Sequence, residues 1–389
     1  MDRISRLPIG IIETILCFLP IQDAARTSIL SREWRYHWIK IPKLVFNEDT
    51  FQASTDDGAE LSVLEQAFDK PSQRKKMGKT QKLFYAISQV LLMHQGPIHD
   101  FTLSMKVDDS CVEMDHIILH LSKKSTIKIL KLDFDNTNCE YELPVSLFSL
   151  HQLAELYLED CVLSHEPSFY DFGCLTTLNL QRIWTYDTKL LHFLSGCPSL
   201  KRLTLNSRNI LFTNVGLTVV DLLKCLPLIE YLSFWFHTFE DCIPEILPKE
   251  LPTTLIHLKC LRMEMLYFPY KYRLRFLFLM IRSSPNLEKL ELVMEDIDWS
   301  GEEELDSFTL EDYSDTMFGH LKELEIRNFG DADYELDFVI LVLARSPVLK
   351  KVTIFTFHGC DDDELSEISE ILLWSPLASP VVKISVGRG

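Results

Sequence analysis

CPSLKRLTL at 197–205, LPLIEYLSF at 226–234, LIHLKCLRM at 255–263 and SPNLEKLEL at 284–292 are copies of one pattern, each placed 29 residues after the last. The apolar residues stand at relative positions one, four and six: Leu200/Leu203/Leu205, Ile229/Leu232/Phe234, Leu258/Leu261/Met263 and Leu287/Leu290/Leu292. On an extended chain, positions four and six point to one face and position five to the other. A single such strand cannot bury its apolar face alone, so a fixed step of this kind predicts stacked neighbours that bury it for one another.

Looser copies run both ways from this register. Before it stand Ile98/Phe101/Leu103, Ile127/Leu130/Leu132, Leu153/Leu156/Leu158 and Leu175/Leu178/Leu180; after it stand Leu321/Leu324/Ile326 and Leu349/Val352/Ile354. Ten rungs spaced 22 to 34 residues apart match the period of leucine-rich repeats. Leu153–Leu163 (LAELYLEDCVL) fits the fuller form, with Cys161 in the slot that serves loop backbone. Helical stretches lie between the rungs, among them 187–195 and 215–225, and Pro198, Pro227, Pro285 and Pro347 follow them. Proline forces extended geometry on the residue before it, so each one marks a helix-to-strand switch. The expected fold class is α/β: parallel strands on a concave face, helices outside.

The one long step, from Leu287 to Leu321, holds an acidic run between Glu295 and Asp315 with no basic residue. It lacks the D-x-D-x-D-G calcium pattern and reads as a solvated loop, or as a contact for a basic partner. Residues 47–82 read as a polar loop whose basic cluster (Lys70, Arg74, Lys75, Lys76, Lys79) is a weak nuclear-localisation candidate.

The first forty residues form a separate module. Ile12, Ile15, Leu16 and Leu19 make one helical stripe, with Pro8 at its start and Pro20 at its end. Asp23 is expected to cap a second helix through Ala24, Ala25 and Ile29, and Ser31 a third carrying Trp34 and Trp38. Three helices this short cannot enclose so much apolar surface, which points to a partner, or to a cap on the next domain. Leu7-Pro8, Ile15-Leu16, Leu19-Pro20, Asp23-Ala24, Arg26-Thr27-Ser28, Leu30-Ser31 and Trp34 resemble the F-box of plant F-box proteins in order and spacing. That resemblance, over residues 3–42, implies docking on a Skp-type adaptor and through it a cullin. The adaptor-facing surface it implies is formed or supported by Leu7, Pro8, Ile12, Ile15, Leu16, Leu19, Pro20, Ala24, Leu30 and Trp34.

Toward the carboxy terminus, Leu321-Lys322 with Leu324-Glu325-Ile326, Phe338-Val339, Ser346-Pro347 with Lys351-Val352, and Ser375-Pro376 to Ser379-Pro380 resemble the FBD domain that follows repeats in many plant F-box proteins. Physically the segment reads as a final rung plus an amphipathic helix over the open core edge. The expected layout is a three-helix F-box at 1–45, a linker and helical lead-in at 46–96, a leucine-rich repeat solenoid at 97–316, and an FBD segment capping it at 317–389.

The net charge of −18 argues against a general nucleic-acid or anionic-membrane binder. It is uneven: residues 1–45 carry seven basic and four acidic side chains, so docking onto an acidic partner is most plausible there. Ten cysteines without a C-x-x-C pair give neither a disulfide scaffold nor a zinc site, and fit a cytoplasmic or nuclear protein. No secretory signal or membrane-length apolar run is apparent.

Hydrolase, metalloprotease, P-loop and dinucleotide motifs are absent, and His116 and His120 share a helix face without a third ligand. The chain is therefore expected to be no enzyme, with no cofactor and no metal. The expected function is substrate recognition for an SCF-type (Skp–cullin–F-box) ubiquitin ligase, the repeat face holding an unknown target protein. Candidate residues on that face are Tyr157, Asn179, Arg202, Thr204, Tyr231, Trp235, Arg262 and Lys289. The alternatives are a protein-binding scaffold outside the ligase, or a small-molecule co-receptor whose aromatics and cations take an acidic ligand.

Overall fold

The computed structural model describes residues 7–31, 34–49, 79–107, 111–134, 141–164, 172–207, 210–211, 219–238, 243, 251, 254–268, 271–295, 313, 316–330, 333–357 and 359–388. The chain divides into two compact units, Met1–Cys197 and Pro198–Gly389. No helix among the described residues is long and apolar enough to cross a membrane.

The first unit opens with helices Ile9–Leu16 and Ile21–Arg26, then the 3-10 turns Thr27–Ile29, Trp34–Tyr36 and Trp38–Lys40. Strand β1 (Lys43–Asn47), the helix Lys79–Met93, β2 (Asp100–Ser104), the helix Val112–Lys124, β3 (Ile129–Asp133) and β4 (Glu155–Glu159) follow. The unit closes with β5 (Val162–Leu163), β6 (Thr177–Gln181), β7 (Trp184–Tyr186) and the helix Asp187–Ser195. Strands β1, β2, β3, β4 and β6 pair in parallel, and β5 pairs with β7. Two apolar rows cross the larger sheet in register. One is Leu44, Phe101, Leu130, Leu156 and Leu178; the other is Phe46, Leu103, Leu132, Leu158 and Leu180. All ten side chains are buried. Burying each contributes about 1.5–3 kcal/mol, which no strand could gain alone.

β1 is a rung the sequence reading passed over, although Ile41/Leu44/Phe46 obeys the same spacing. It fuses the opening helices to the repeats. Gln95 donates its N–H to the Ile39 carbonyl (2.9 Å), and His99 and Asp100 donate theirs to Pro42 (2.7 and 3.0 Å). The buried ring of His94 reaches the Ile41 carbonyl at 2.8 Å. A Cβ on Gly96 would stand 2.5 Å from the Lys40 carbonyl oxygen, so only glycine permits this approach.

The second unit holds β8 (Arg202–Asn206), β9 (Ile210–Leu211), the helix Val219–Lys224, β10 (Tyr231–Trp235), β11 (Cys260–Leu266) and the helix Lys271–Arg282. After these come β12 (Lys289–Met294), β13 (Glu323–Phe329), the helix Asp333–Arg345, β14 (Lys351–Thr356), the helix Asp362–Trp374 and β15 (Lys383–Arg388). Seven strands pair in parallel in the order β8, β10, β11, β12, β13, β14, β15. The 29-residue register is kept: Leu203, Leu232, Leu261 and Leu290 are direct neighbours, as are Leu205, Phe234, Met263 and Leu292. The ladder shifts by a bulge after Glu264 and again after Arg327, where Met265 and Asn328 take positive φ.

Several expectations differ in detail. Asp23 caps nothing; Pro20 precedes the second helix, and Asp23 instead accepts from Arg26 at 2.7 Å one turn on. Its helix ends at Arg26, because Thr27 turns its hydroxyl back to the Ala24 carbonyl and a 3-10 turn takes over. The third helix is a pair of 3-10 turns, with Ser31 accepting from the Trp34 N–H at 3.3 Å as the capping reading requires. A helix begins at Lys79, inside the stretch expected to be a polar loop. Most of the basic cluster at 70–79 and the acidic run after Glu295 lie outside the described residues. The closing helix Asp362–Trp374 packs against β15 and buries Ile368 and Leu372, while Leu373 and Trp374 stay bare.

Candidate protein-docking surfaces

Two faces have the character of docking surfaces, one on the opening helices and one on the strands. The helix Ile9–Leu16 turns Ile12 and Leu16 inward, where they join Ile21, Ala24, Ala25, Trp34 and Trp38. Of the ten residues singled out for adaptor docking, Ile12, Leu16, Ala24 and Trp34 are thus buried within this chain. Leu7 and Leu19 are half-buried, and Pro8, Ile15, Pro20 and Leu30 are exposed.

The exposed apolar surface is larger than that set. Phe18 is 83% exposed, Ile29 71% and Leu30 67%, and Ile9, Ile11 and Ile15 add to it. Burying such groups against a partner is the ordinary source of association energy, and a monomer seldom leaves so many bare together. Ile9, Ile11, Phe18 and Ile29 were missed in the sequence because the helical stripe identifies the inward face. The outward one is legible only once Leu16 and Ile12 are seen to be spent on the core.

On the strands, all eight candidate target contacts lie on the face turned away from the apolar core. They fall into two groups by unit. In the first, Tyr157 and Asn179 are register neighbours, and the Lys131 ammonium sits 4.4 Å from the Tyr157 ring centroid. In the second, Arg202, Tyr231 and Lys289 share one column with Cys260 between them. Thr204 and Arg262 share the next column with Ser233, and Trp235 stands beside Glu264.

The cations among them are already engaged. Arg262 meets Glu264 at 2.7 Å and Glu291 at 3.2 Å; Lys289 meets Glu291 at 2.5 Å and Glu325 at 3.7 Å. Arg202 lies over the Tyr231 ring at 4.2 Å, and the Trp235 indole N–H donates to Glu264 at 3.0 Å. Burial alone would push the Glu291 carboxyl up. The Lys289 and Arg262 contacts outweigh it and hold the group below the usual range, while its hydrogen bond raises Lys289. Arg262 and Lys289 are thus held by this chain's own carboxylates, whereas Arg202 meets the Tyr231 ring. Glu264, Glu291 and Glu325 were missed in the sequence, although each sits one 29-residue step, or one long step, from its neighbour in register.

Asp133, Glu159 and Asp160 bring carboxylate oxygens within 4.8 Å of one another at the far end of the first unit's strands. Arg182 pairs with two of them, with Nη2 2.6 Å from Glu159 and 2.7 Å from Asp160, and Nε 2.9 Å from Asp160. Asp133 instead accepts from the Ser104 hydroxyl at 3.0 Å.

Three family models match separate parts of the chain. The F-box domain model matches residues 4–45, the model of the repeats of FBD-associated F-box protein At5g56370 matches 115–226, and the FBD model matches 317–354. The F-box/FBD/LRR-repeat protein At1g13570 of Arabidopsis thaliana is 29% identical over 425 aligned positions, covering 97% of each chain. The F-box/LRR-repeat protein At3g26922 of the same plant is 24% identical, over 66% of this chain and 82% of its own. Among solved structures, an internalin (inlF) from Listeria monocytogenes covers 88% of this chain and 93% of its own at 10% identity, with a TM-score of 0.36.

Proposed function

We propose, for a chain built of an F-box, leucine-rich repeats and an FBD segment as the plant F-box/FBD/LRR-repeat proteins are, that it is the substrate-recognition subunit of an SCF-type ubiquitin ligase. The F-box docks on a Skp-type adaptor, which joins it to a cullin, and the open strand face holds a target protein. Related F-box and repeat proteins are non-catalytic adaptors, and this chain does no bond chemistry in the proposed role. It raises the effective concentration of target lysines at the transfer enzyme.

The observation that carries the proposal is the bare apolar surface of Phe18, Ile29, Leu30, Ile15, Ile11 and Ile9 on a module that already buries Ile12, Leu16, Ile21, Trp34 and Trp38. The strap from Ile39–Pro42 to His94–Asp100 supports it further, since a module seated on the first rung keeps a fixed aim relative to that rung's strands. Mixing the purified chain with a Skp-type adaptor and a cullin should give a three-part complex on size exclusion. The double variant Ile29→Asp/Leu30→Asp should elute alone with an unchanged circular dichroism spectrum. Undiminished adaptor binding by that variant would sink the proposal, and recovery of adaptor without cullin would favour a scaffold outside the ligase. Target proteins should then accumulate in proximity-labelling experiments when the F-box variant replaces the parent.

A further inference from the structure

The last rung of the second unit is finished on one side only. Val381, Ile384 and Val386 obey the same one–four–six spacing as every buried rung, yet Val381 is 63% exposed and the other two are half-buried. The helix Asp362–Trp374 packs against β15, but among the described residues no strand pairs with its far edge. The preceding helix adds Trp374, 84% exposed, and Leu373, 72% exposed, beside the start of β15. The patch is held in place. The Ser379 hydroxyl, itself buried, donates to the Leu349 carbonyl at 2.6 Å, Ala378 donates its N–H to Leu343 at 3.0 Å, and Lys383 donates its N–H to Lys350 at 3.0 Å. Because Lys383 bonds back toward β14, the alternation of a parallel strand turns the N–H and C=O groups of Ile384 and Val386 to the open edge.

The charge here is opposite to that of the chain. Lys350, Lys351 and Lys383 are exposed at the strand-start side of β14 and β15, and none is in an ion pair among the described residues. Glu323, in register with Lys351 on β13, is the neighbouring acid in that column. Asp361 to Glu364 gather at the opposite end of β15, where Asp362 takes Arg388 at 2.6 Å, and Glu367 and Glu370 follow along the last helix. An open strand edge, a partly exposed apolar rung and three unpaired lysines at one end describe an added strand of complementary pattern.

We propose that β15 receives an extended segment of a partner protein as an added strand. Its acidic residues lie on the face that carries Lys351 and Lys383, and its apolar residues cover Ile384, Val386 and Val381. A second copy of this chain is the poorer occupant, because its own β15 offers Lys383, Ser385 and Gly387 on that face and no carboxylate.

The test uses the full chain and a fluorescein-labelled peptide of alternating Glu and Val as probe, read by anisotropy. The Glu/Val peptide should bind, and a Lys/Val peptide should not. The variant Lys350→Glu/Lys351→Glu/Lys383→Glu should weaken binding by at least about tenfold, and Trp374→Ala by a smaller factor. N-methylating alternate backbone nitrogens of the peptide should abolish binding without touching the protein. Equal binding of the N-methylated or the Lys/Val peptide would overturn the proposal. So would an unchanged affinity in the triple variant, or equal capture of phosphatidylserine vesicles or an RNA oligonucleotide. Self-association of the chain in sedimentation velocity, lost in the triple variant, would assign the edge to a second copy instead. None of these measurements involves the adaptor.

Discussion

Replacing Phe18 by Ser separates docking from folding. Phe18 follows the first helix and is 83% exposed, while Leu16 two residues before it is wholly buried. A phenylalanine side chain presents roughly 200 Å² when bare, so about 165 Å² is available to a partner. At about 25 cal/mol per Å² its full burial would contribute about 4 kcal/mol. Serine retains part of that area, and a contact rarely covers every atom, so a loss of about 2–4 kcal/mol is expected, roughly thirtyfold to a thousandfold in Kd. Folding should hardly notice, because exposed substitutions usually stay within about 0.5 kcal/mol. Leu16→Ala should behave oppositely. Truncating a fully buried leucine costs about 2–5 kcal/mol of stability, while the fraction that remains folded keeps its adaptor affinity. Calorimetric titration of a Skp-type adaptor, paired with thermal unfolding of each variant, checks both halves. If Phe18→Ser binds as the parent does, the exposed patch is not the adaptor surface. If it unfolds as readily as Leu16→Ala, the assignment of inner and outer faces is wrong.

Gly96→Ala should destabilise the first unit by about 1–3 kcal/mol, because its Cβ would press on the Lys40 carbonyl oxygen. Faster amide exchange at Gln95 and His99 would report the loosened strap, and an unchanged melting temperature would refute it. Arg273 is buried and meets Glu295 at 2.7 Å, and His237 meets the same carboxylate at 2.9 Å. Burial would raise the Glu295 carboxyl, but these two partners outweigh it and hold it below the usual range. A depressed carboxylate stabilises the fold above its unfolded pKa, and that contribution fades as pH falls through the folded value. Glu295→Gln should therefore lower stability near neutrality and flatten its decline in acid, and equal acid slopes in urea titrations would count against the pair. Burial pushes the Cys111 and Cys260 thiols up to about 11. Iodoacetamide should leave both unmodified in the native protein and, among the described cysteines, label exposed Cys174 first, as peptide mapping would show.

How much of this was legible in the sequence varied with the kind of interaction. Core rows were readable because they repeat: Leu203, Leu232, Leu261 and Leu290 are neighbours in space since the 29-residue step makes them so. The rungs Ile41/Leu44/Phe46 and Val381/Ile384/Val386 carry the same spacing and were obscured by their settings, one behind a module boundary and one at the end of the series. The charge network on the strand face was half-read. Arg262 and Lys289 stood out as cations, but that Glu264, Glu291 and Glu325 hold them depends on which columns meet across the ladder.

The sequence by itself determined the repeating unit, the switch points at the prolines and the opening module, because each follows from spacing along one chain and from local backbone preference. Only the tertiary structure decided which apolar residues remain for a partner. Ile12 and Phe18 are alike in composition and differ in whether other elements of the fold reach them. Exposure is what remains after every element has packed, and so no single stretch of chain encodes it.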